Sequence, residues 1–239
     1  MTTFEKRLFD AAVAPYVQAG KFATHFARGK LTGDPVFREI LQQGLIGSNA
    51  HLIDIGCGQG LLSAWIWAAE SMAKDPYWPK DWSAAPLGVT VRGIELMEKD
   101  VLRASKAMAV HADRLTFDAI DMCDASFEKA DVFAILDVLH YVPFTAQKDI
   151  LHRVHQALLP GGLLILRVGD AEGGLGFKVS NWVDNTVTFI RGHRLSRLYC
   201  RTLSDWIQLL INLGFAVETK PMSQGTPFAN VLLLARIPL

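Results

Sequence analysis

Three glycines at alternate positions follow a short apolar run, and their spacing is the clearest sign of chemistry in the chain. The segment HLIDIGCGQG extends from His51 to Gly60, and an apolar stretch at 61–69 has the composition of a helix. Glycine lets the chain turn sharply and brings bare backbone N–H groups close to a ligand. A strand, a glycine turn and a helix predict a nucleotide-binding corner. Its candidate residues are Asp54, Gly56, Cys57, Gly58 and Gly60.

Acidic residues recur at the ends of the later predicted strands. Glu95 ends a strand predicted at 89–95, Asp121 follows one at 115–120, and Asp137 ends one at 130–137. The carboxyl ends of parallel strands meet at one edge of a sheet, where ligands bind. Glu95 can accept hydrogen bonds from ribose hydroxyls, and Asp121 can accept one from an adenine amino group. Ordinary solvated loop acids are the alternative interpretation.

The elements that must position these residues alternate between strand and helix. Helices are predicted at 97–111 and 146–159, a fifth strand at 163–168, and a closing antiparallel hairpin near the end. This alternation predicts an α/β fold with a Rossmann-like doubly wound sheet. We expect a helical N-terminal cap over residues 1–48, a nucleotide-binding domain over 49–239, and a second cap inserted after strand five at about 170–201. Asp34 and Pro35 predict the start of a helix in the first cap, and a later helix is predicted to open at Thr202.

Composition excludes several classes of function. The 239 residues carry a formal net charge of zero, so no broad basic surface for nucleic acid is expected. No apolar run approaches the roughly 20 residues that cross a bilayer. The N-terminal residues lack the apolar core of a signal peptide, and we expect a cytoplasmic protein. Cys57, Cys123 and Cys200 are far apart, so no metal site or disulfide is expected.

The glycine spacing distinguishes between nucleotides. A dinucleotide fold has a further glycine in the helix, but Leu61 follows Gly60 directly, and no P-loop lysine is present. Five segments in order, 53–60, 91–95, 120–122, 135–140 and 158–164, are similar to the motifs of class I S-adenosylmethionine-dependent methyltransferases. The resemblance covers about residues 50 to 170. It implies a seven-stranded sheet with the last strand antiparallel, S-adenosylmethionine as methyl donor and S-adenosylhomocysteine as product.

The resemblance also implies a role for each donor-site residue. Asp54 would meet the ammonium group of the donor, and backbone N–H groups near Cys57 would approach its methionyl and ribose parts. Met97 and Met122 would enclose the adenine, and Cys57 would be a small filler in the turn. The implied cofactor-binding residues are Asp54, Gly56, Cys57, Gly58, Gly60, Glu95, Leu96, Asp121, Met122 and Asp137.

The acceptor side is less well defined by the sequence. His140 and Tyr141 follow the fourth strand and are the candidate catalytic residues, because a neutral hydroxyl or carbon nucleophile gains from a base. A purely structural role for His140 is the alternative. Weaker candidates are Tyr16, His25, His193 and Tyr199.

Arginine residues suggest possible partners. Arg191, Arg194, Arg197 and Arg201 would share one face of a helix, which would be either a solvated surface or a docking site for an acyl carrier protein. Arg167 interrupts an apolar strand and needs an anion, either Asp170 or the substrate.

Segments 22–30 and 225–230 resemble methyltransferases of bacterial aryl-polyene pigment pathways. That resemblance implies secondary metabolism and an aromatic or phenolic acceptor, free or carrier-bound.

Three hypotheses remain for the function. The first is methylation of a small molecule. The second is a regulatory domain that binds S-adenosylmethionine without catalysis. The third is methylation of RNA or protein. The neutral charge and the lack of a nucleic-acid module argue against RNA. Neither the acceptor atom nor the oligomeric state follows from the sequence.

Overall fold

The computed structural model describes residues 1–171, 198–222 and 230–238. Contacts divide the chain into two compact units, each described by itself below. The first comprises Met1–Ser126 with Ala130–Val132, and the second comprises Phe127–Lys129 with Phe133–Leu239. Most of the second cap predicted at 170–201, and all but residue 230 of the segment 225–230, lie outside the described residues.

Within those residues, helices and strands alternate as predicted. The helices are α1 (Thr3–Val13), α2 (Lys21–Gly33), α3 (Pro35–Gln42), α4 (Leu61–Ser71), α5 (Glu98–Ala107), α6 (Phe144–Ala157) and α7 (Leu203–Asn212). Short 3-10 helices span Ala14–Val17, Ala109–His111 and Leu139–Tyr141. The strands are β1 (His51–Ile55), β2 (Thr90–Glu95), β3 (Leu115–Ala119), β4 (Ala130–Leu136), β5 (Leu158–Gly169), β6 (Ala216–Pro221) and β7 (Asn230–Arg236).

The strands form one seven-stranded sheet in the order β3-β2-β1-β4-β5-β7-β6. Strand β2 pairs in parallel with β1 and β3, whereas β7 runs antiparallel to both β5 and β6. The predicted Rossmann-like sheet with an antiparallel last strand is confirmed. Leu52, Ile53 and Ile55 of β1 are fully buried, as expected of a strand covered on both faces.

Helix starts follow from their capping residues. Asp34 Oδ1 accepts a hydrogen bond from Val36 N at 3.1 Å, and Pro35 occupies the first turn of α3. Thr202 Oγ1 accepts from Asp205 N at 3.1 Å and begins α7. Both side chains satisfy amide groups that have no partner within the helix. The helix starts predicted at Asp34 and Thr202 are therefore confirmed.

Two element bounds differ from the prediction. Strand β5 begins at Leu158 and continues through Gly161, which has a φ of 75°, although the sequence predicted a helix to residue 159 and a strand from 163. The α6 helix ends earlier, at Ala157. The glycine permits a backbone turn within the extended segment that most residues would resist, so the pair Gly161–Gly162 lies inside the strand instead of preceding it.

Candidate functional site

The glycine turn, residues 56–60, connects β1 to α4 and has a left-handed backbone at each of its three glycines. Gly56, Gly58 and Gly60 have φ values of 73°, 56° and 72°. A Cβ atom at Gly60 would lie 2.6 Å from the Phe117 ring, so packing as well as φ requires glycine there. At Gly58 a Cβ atom would meet nothing within 4 Å. The turn is therefore packed at Gly60 and open at Gly58.

Glu95 connects this turn to the end of β2. Its Oε2 accepts a hydrogen bond from Gly58 N at 3.0 Å, and its Oε1 accepts from Met97 N at 2.9 Å. These two bonds hold the Glu95 carboxylate beside the open part of the turn. Each oxygen keeps further acceptor capacity, because a carboxylate offers about four lone-pair positions.

Asp54 is the second-last residue of β1, two positions before Gly56, and is only 3% exposed. Burial, and then the nearby Glu95 carboxylate, raise the pKa of Asp54 to about 7. A cation placed beside it would relieve both effects, because an opposite charge favours the ionised form. The corner therefore favours a cationic group next to a hydrogen-bonded carboxylate.

The amide groups of the turn are directed into the protein. Gly56 N and Cys57 N both donate to Ile94 O, at 2.7 and 3.1 Å, and Gly60 N donates to Cys57 O at 2.9 Å. With Gly58 N bound to Glu95, four of the five turn amides already have an intramolecular acceptor. The expected approach of the turn's N–H groups to a ligand stays a prediction. The turn contributes its shape and its open space.

The third predicted acid lies at the same edge of the sheet. Ile120 N donates to Glu95 O at 3.0 Å, which places Asp121 just beyond the β2–β3 pairing. Asp121 Oδ1 accepts from Cys123 N at 2.8 Å and stabilises the turn that follows β3. Met97 and Met122 are half-buried, and Leu96 is 53% exposed, so apolar side chains accompany both acids.

Cys57 is buried and reduced in this corner. Its sulfur lies 2.8 Å from the position that a Cβ atom at Gly93 would take. Burial raises the pKa of the Cys57 thiol well above its ordinary value, so the group is a thiol and not a nucleophilic thiolate. These features agree with its predicted role as a small filler.

The sequence missed two polar residues in this corner, Gln59 and Asp100, and named Tyr16 only as a weaker acceptor-side candidate. Tyr16 donates from its hydroxyl to Gln59 O at 2.8 Å, and Gln59 Nε2 donates to Asp100 Oδ1 at 3.1 Å. Gln59 and Tyr16 are fully buried, and Asp100 is 3% exposed. A glutamine between two motif glycines was the available signal, but its partner is 41 residues away in the chain.

In the second unit, Asp137 pairs with the buried Arg167. Arg167 Nε donates to Asp137 Oδ1 at 2.8 Å, and Nη2 donates to Oδ2. Asp137 N also donates to Arg167 O at 3.1 Å, and Asp137 has a φ of 61°. Asp170, one of the two predicted anions, accepts from Leu203 N at 3.1 Å. Arg167 was predicted to need an anion, and the Asp137 carboxylate supplies one.

The histidine turn, Leu139–Tyr141, carries the two candidate catalytic residues. Burial lowers the pKa of His140 to about 4, although the Asp137 carboxylate opposes this shift. His140 is therefore neutral near pH 7. Its ring centroid is 4.2 Å from that of Tyr141. Tyr199, a weaker candidate in the sequence, donates from its backbone N to His140 O at 2.8 Å.

Gln147 connects the histidine turn to the segment around Tyr199. Its Nε2 donates to the carbonyl oxygens of Leu139, Val142 and Tyr199 at 3.1, 3.1 and 2.8 Å. Its Oε1 accepts from Arg201 Nε at 2.8 Å. Gln147 is fully buried, so these four contacts hold the histidine turn through a side chain that solvent does not reach.

Arg201 does not lie on a helical face, which corrects the prediction for this residue. It precedes α7, and its guanidinium binds Gln147 and donates to Phe144 O at 3.1 Å. It also lies 4.6 Å from the centroid of the Phe144 ring. Arg191, His193, Arg194 and Arg197 lie outside the described residues. His25 is exposed on α2.

Membrane-spanning helices and metal-binding clusters are two further features to consider in the described residues. In the ranges 1–171, 198–222 and 230–238, no helix is both long and apolar enough to cross a membrane. The same ranges contain no cluster of three or more His, Cys, Asp or Glu side chains able to hold a metal ion.

A family model described as a methyltransferase domain matches residues 25–220. That span includes the glycine turn, Glu95, Asp121 and the histidine turn. The chain belongs to the methyltransferase domain family. The resemblance inferred from the five motifs is confirmed at the level of family and fold.

Two solved structures of methyltransferases share the fold. The 1,6-didemethyltoxoflavin-N1-methyltransferase of Burkholderia thailandensis, solved with 1,6-didemethyltoxoflavin and S-adenosylhomocysteine, has a TM-score of 0.62 at 20% identity over 96% of this chain and 89% of its own. The magnesium protoporphyrin IX methyltransferase of Synechocystis PCC 6803, solved with S-adenosylhomocysteine, has a TM-score of 0.58 at 24% identity over 91% of this chain and 87% of its own.

Sequence relatives of this methyltransferase domain match only part of it. The ubiquinone biosynthesis O-methyltransferase of Hydrogenovibrio crunogenus is 29% identical over 133 residues, covering 54% of this chain and 46% of that protein. The carboxy-S-adenosyl-L-methionine synthase of Trichodesmium erythraeum is 23% identical over 138 residues, covering 55% of this chain and 49% of that protein. The chain spans about half the length of the curated relatives that it matches.

Proposed function

We propose that this methyltransferase domain transfers a methyl group from S-adenosylmethionine to a small-molecule acceptor. The observation that carries the proposal is the Glu95 carboxylate, which is hydrogen-bonded to Gly58 at the open part of the glycine turn. In that place it can accept hydrogen bonds from the ribose hydroxyls of a nucleoside. Asp54 adds a buried carboxyl group whose pKa of about 7 suits the donor's ammonium group.

The same corner is unsuited to a dinucleotide. A diphosphate is held by backbone N–H groups that point at the ligand. Here the amides of Gly56, Cys57 and Gly60 donate to carbonyl oxygens, and Gly58 N donates to Glu95. Two carboxyl groups beside the turn would also repel phosphate. The arrangement therefore favours a cationic sulfonium donor over NAD or NADP.

The remaining proposed donor contacts are apolar and acidic side chains that follow β2 and β3. Asp121 would accept a hydrogen bond from the adenine amino group, with Leu96, Met97 and Met122 against the faces of the base. Asp137 is the last of the proposed donor-binding residues. The product of the transfer would be S-adenosylhomocysteine.

The acceptor side would use His140 and Tyr141. Methyl transfer is a direct displacement at the sulfonium carbon, in which the acceptor atom forms its bond as the sulfur leaves. His140 is neutral near pH 7 and able to take a proton, but a pKa of about 4 makes it a weak base. Such a group suits an acceptor that needs alignment more than deprotonation, such as a phenolate oxygen that has already lost its proton. An aromatic or phenolic metabolite, free or bound to an acyl carrier protein, is therefore the proposed acceptor.

A transfer assay with S-adenosylmethionine labelled in its methyl group tests the activity. The protein is incubated with the donor and a bacterial extract divided by size into small molecules, proteins and nucleic acids. We expect label in the small-molecule fraction, and an Asp54→Ala variant as control should transfer much less. Label only in protein or RNA would contradict a small-molecule acceptor. Donor binding without transfer to any fraction would instead indicate a regulatory domain.

A further inference from the structure

Besides the bond from Gly58 N to Glu95, the glycine turn has another hydrogen bond to an acidic side chain of the β2–α5 segment. Gln59 Nε2 donates to Asp100 Oδ1 at 3.1 Å, and both side chains are almost completely removed from solvent. Asp100 lies in the first turn of α5. Consecutive turn residues, Gly58 and Gln59, are thus bonded to two acids located five positions apart in the chain.

Together these bonds close a ring. Glu95 accepts from Gly58 N and from Met97 N, Asp100 N donates to Met97 O at 2.8 Å, and Asp100 Oδ1 returns to Gln59. Every member of the ring is a residue of the glycine turn or of the segment 95–100. The separation between the turn and the Glu95 carboxylate is consequently fixed on both sides of the open position.

Tyr16 fixes the remaining side of Gln59. Its hydroxyl donates to Gln59 O at 2.8 Å, and its side chain is fully buried. Two residues later, Gln18 Nε2 donates to Ala107 O at 3.0 Å and attaches the same 3-10 segment to the end of α5. Burial raises the pKa of Tyr16 well above its ordinary value, so the hydroxyl keeps its proton as donor. The N-terminal residues therefore hold the backbone of the turn.

Stability alone does not explain this choice of residues. Gln59 Oε1 is buried and has no hydrogen-bond partner among the residues that the structure describes. An unsatisfied buried oxygen is unfavourable, and an apolar side chain of similar size would avoid that cost. Asp100 also accepts from Arg103 Nη1 at 2.8 Å, so its charge is compensated without Gln59. What Gln59 adds is the fixed connection between the two segments.

We propose that Gln59, Asp100 and Tyr16 are positioning residues of the donor site, which hold the glycine turn at the separation from Glu95 that a ribose requires. The inference rests on the proposed function and goes beyond it by assigning residues that act through the turn and through Glu95. None of the three needs to touch the donor.

Calorimetric titration with S-adenosylhomocysteine tests the inference. Gln59→Leu should raise the dissociation constant about tenfold, the equivalent of one well-placed hydrogen bond. Asp100→Leu should have a similar effect, and the double variant should be no weaker than either single variant, because one connection is lost in all three. Asp100→Asn keeps an acceptor oxygen for Gln59 and should restore most of the affinity. Turnover at saturating donor should change less than the dissociation constant.

Trp65→Phe is the matched control. Trp65 is buried in α4, and its Nε1 donates to Phe37 O at 2.7 Å, so the variant also loses a buried hydrogen bond to the N-terminal residues. It should lower the melting temperature without changing the dissociation constant. An equal loss of affinity in Trp65→Phe, or an Asp100→Asn variant as weak as Asp100→Leu, would overturn the inference.

The outcomes separate the inference from the proposed function. If the unaltered protein binds neither S-adenosylmethionine nor S-adenosylhomocysteine, the proposed function fails. If it binds and Gln59→Leu binds equally well, only the positioning role fails. Should Gln59→Leu not fold, Tyr16→Phe decides: a raised dissociation constant supports the role, and an unchanged one contradicts it.

Discussion

The glycine turn and the histidine turn both follow a strand of the sheet, but they are held in different ways. The glycine turn is fixed by its own backbone conformation, by Glu95 at the end of β2 and by Asp100 in the first turn of α5. The histidine turn is fixed by Gln147, Tyr199 and Arg201, and Arg167 holds the residue that precedes it. The first depends on residue types at fixed spacing, and the second depends on side chains distant in the chain.

This difference explains why a donor site is easier to recognise than an acceptor site. A common donor requires one shape, so the left-handed glycines and the strand-end acid carry the signal in a few positions. The histidine turn carries His140 and Tyr141 on a backbone whose supports include residues 199–201. Its chemistry depends on burial, and burial lowers the pKa of His140 to about 4. No spacing in the sequence reports that environment.

The largest expected effect is a loss of stability when a distant residue that supports the histidine turn is replaced. Arg167→Leu should destabilise the protein by about 3–5 kcal/mol, because it leaves Asp137 without its buried cation. Chemical denaturation measures the change. Arg153→Leu, which removes a more exposed pair with Asp149 at 2.8 Å, should change stability by no more than about 1 kcal/mol. Equal losses in the free energy of unfolding for Arg167→Leu and Arg153→Leu would show that the histidine turn does not depend on Arg167.

Replacing His140 should separate turnover from donor binding. If the side chain acts as a base, His140→Ala should lower turnover by about 100-fold, the usual size of such a contribution. Its dissociation constant for S-adenosylhomocysteine should stay within about threefold of the original value. Tyr141→Phe, which keeps the ring next to His140, is the paired variant. Normal turnover in His140→Ala would give the histidine a structural role only.

A smaller effect, expected in the glycine turn region, depends on pH. The pKa of Asp54 in the folded protein is about 7, above its ordinary value of 3.8, so between these values the folded protein holds a proton that the unfolded chain has lost. This group's contribution to stability therefore decreases as pH rises from about 4 to about 7, and stays constant above that range. The ammonium of the donor favours the ionised form.

Donor affinity should consequently change in the opposite direction. Below about pH 7, binding must release the Asp54 proton, so affinity should fall by up to about tenfold for each pH unit. Titrations with S-adenosylhomocysteine at about pH 6 and about pH 8 measure this dependence. Asp54→Asn should bind more weakly and almost independently of pH in this interval. A flat profile for the unaltered protein would show that Asp54 does not meet the ammonium group.

Several features could be predicted from the sequence because they depend on local chemistry. The buried run of β1, the glycine turn and the Asp34 and Thr202 caps each involve residues within a few positions of one another. The alternation of strands and helices predicted the doubly wound sheet, and the closing hairpin and the family resemblance predicted its antiparallel last strand. Glu95 was identified because it ends a strand next to β1.

The remaining features depend on tertiary packing. Arg167 pairs with Asp137, which lies 30 positions away and whose backbone N also donates to Arg167 O. Arg201 turned inward to a buried glutamine 54 positions away instead of continuing a helical series. The partner of Gln59 lies on α5 and depends on how that helix packs. None of these contacts follows from periodicity or spacing.

The central claim, that the glycine turn and Glu95 form a site for S-adenosylmethionine, is tested most directly by one set of calorimetric titrations. The unaltered protein, Glu95→Ala and the control Glu98→Ala are each titrated with S-adenosylhomocysteine and with NAD. We expect S-adenosylhomocysteine to bind the unaltered protein and Glu98→Ala equally, and Glu95→Ala more weakly by about 1–3 kcal/mol. Binding of NAD without S-adenosylhomocysteine, or equal affinity in Glu95→Ala, would contradict the claim.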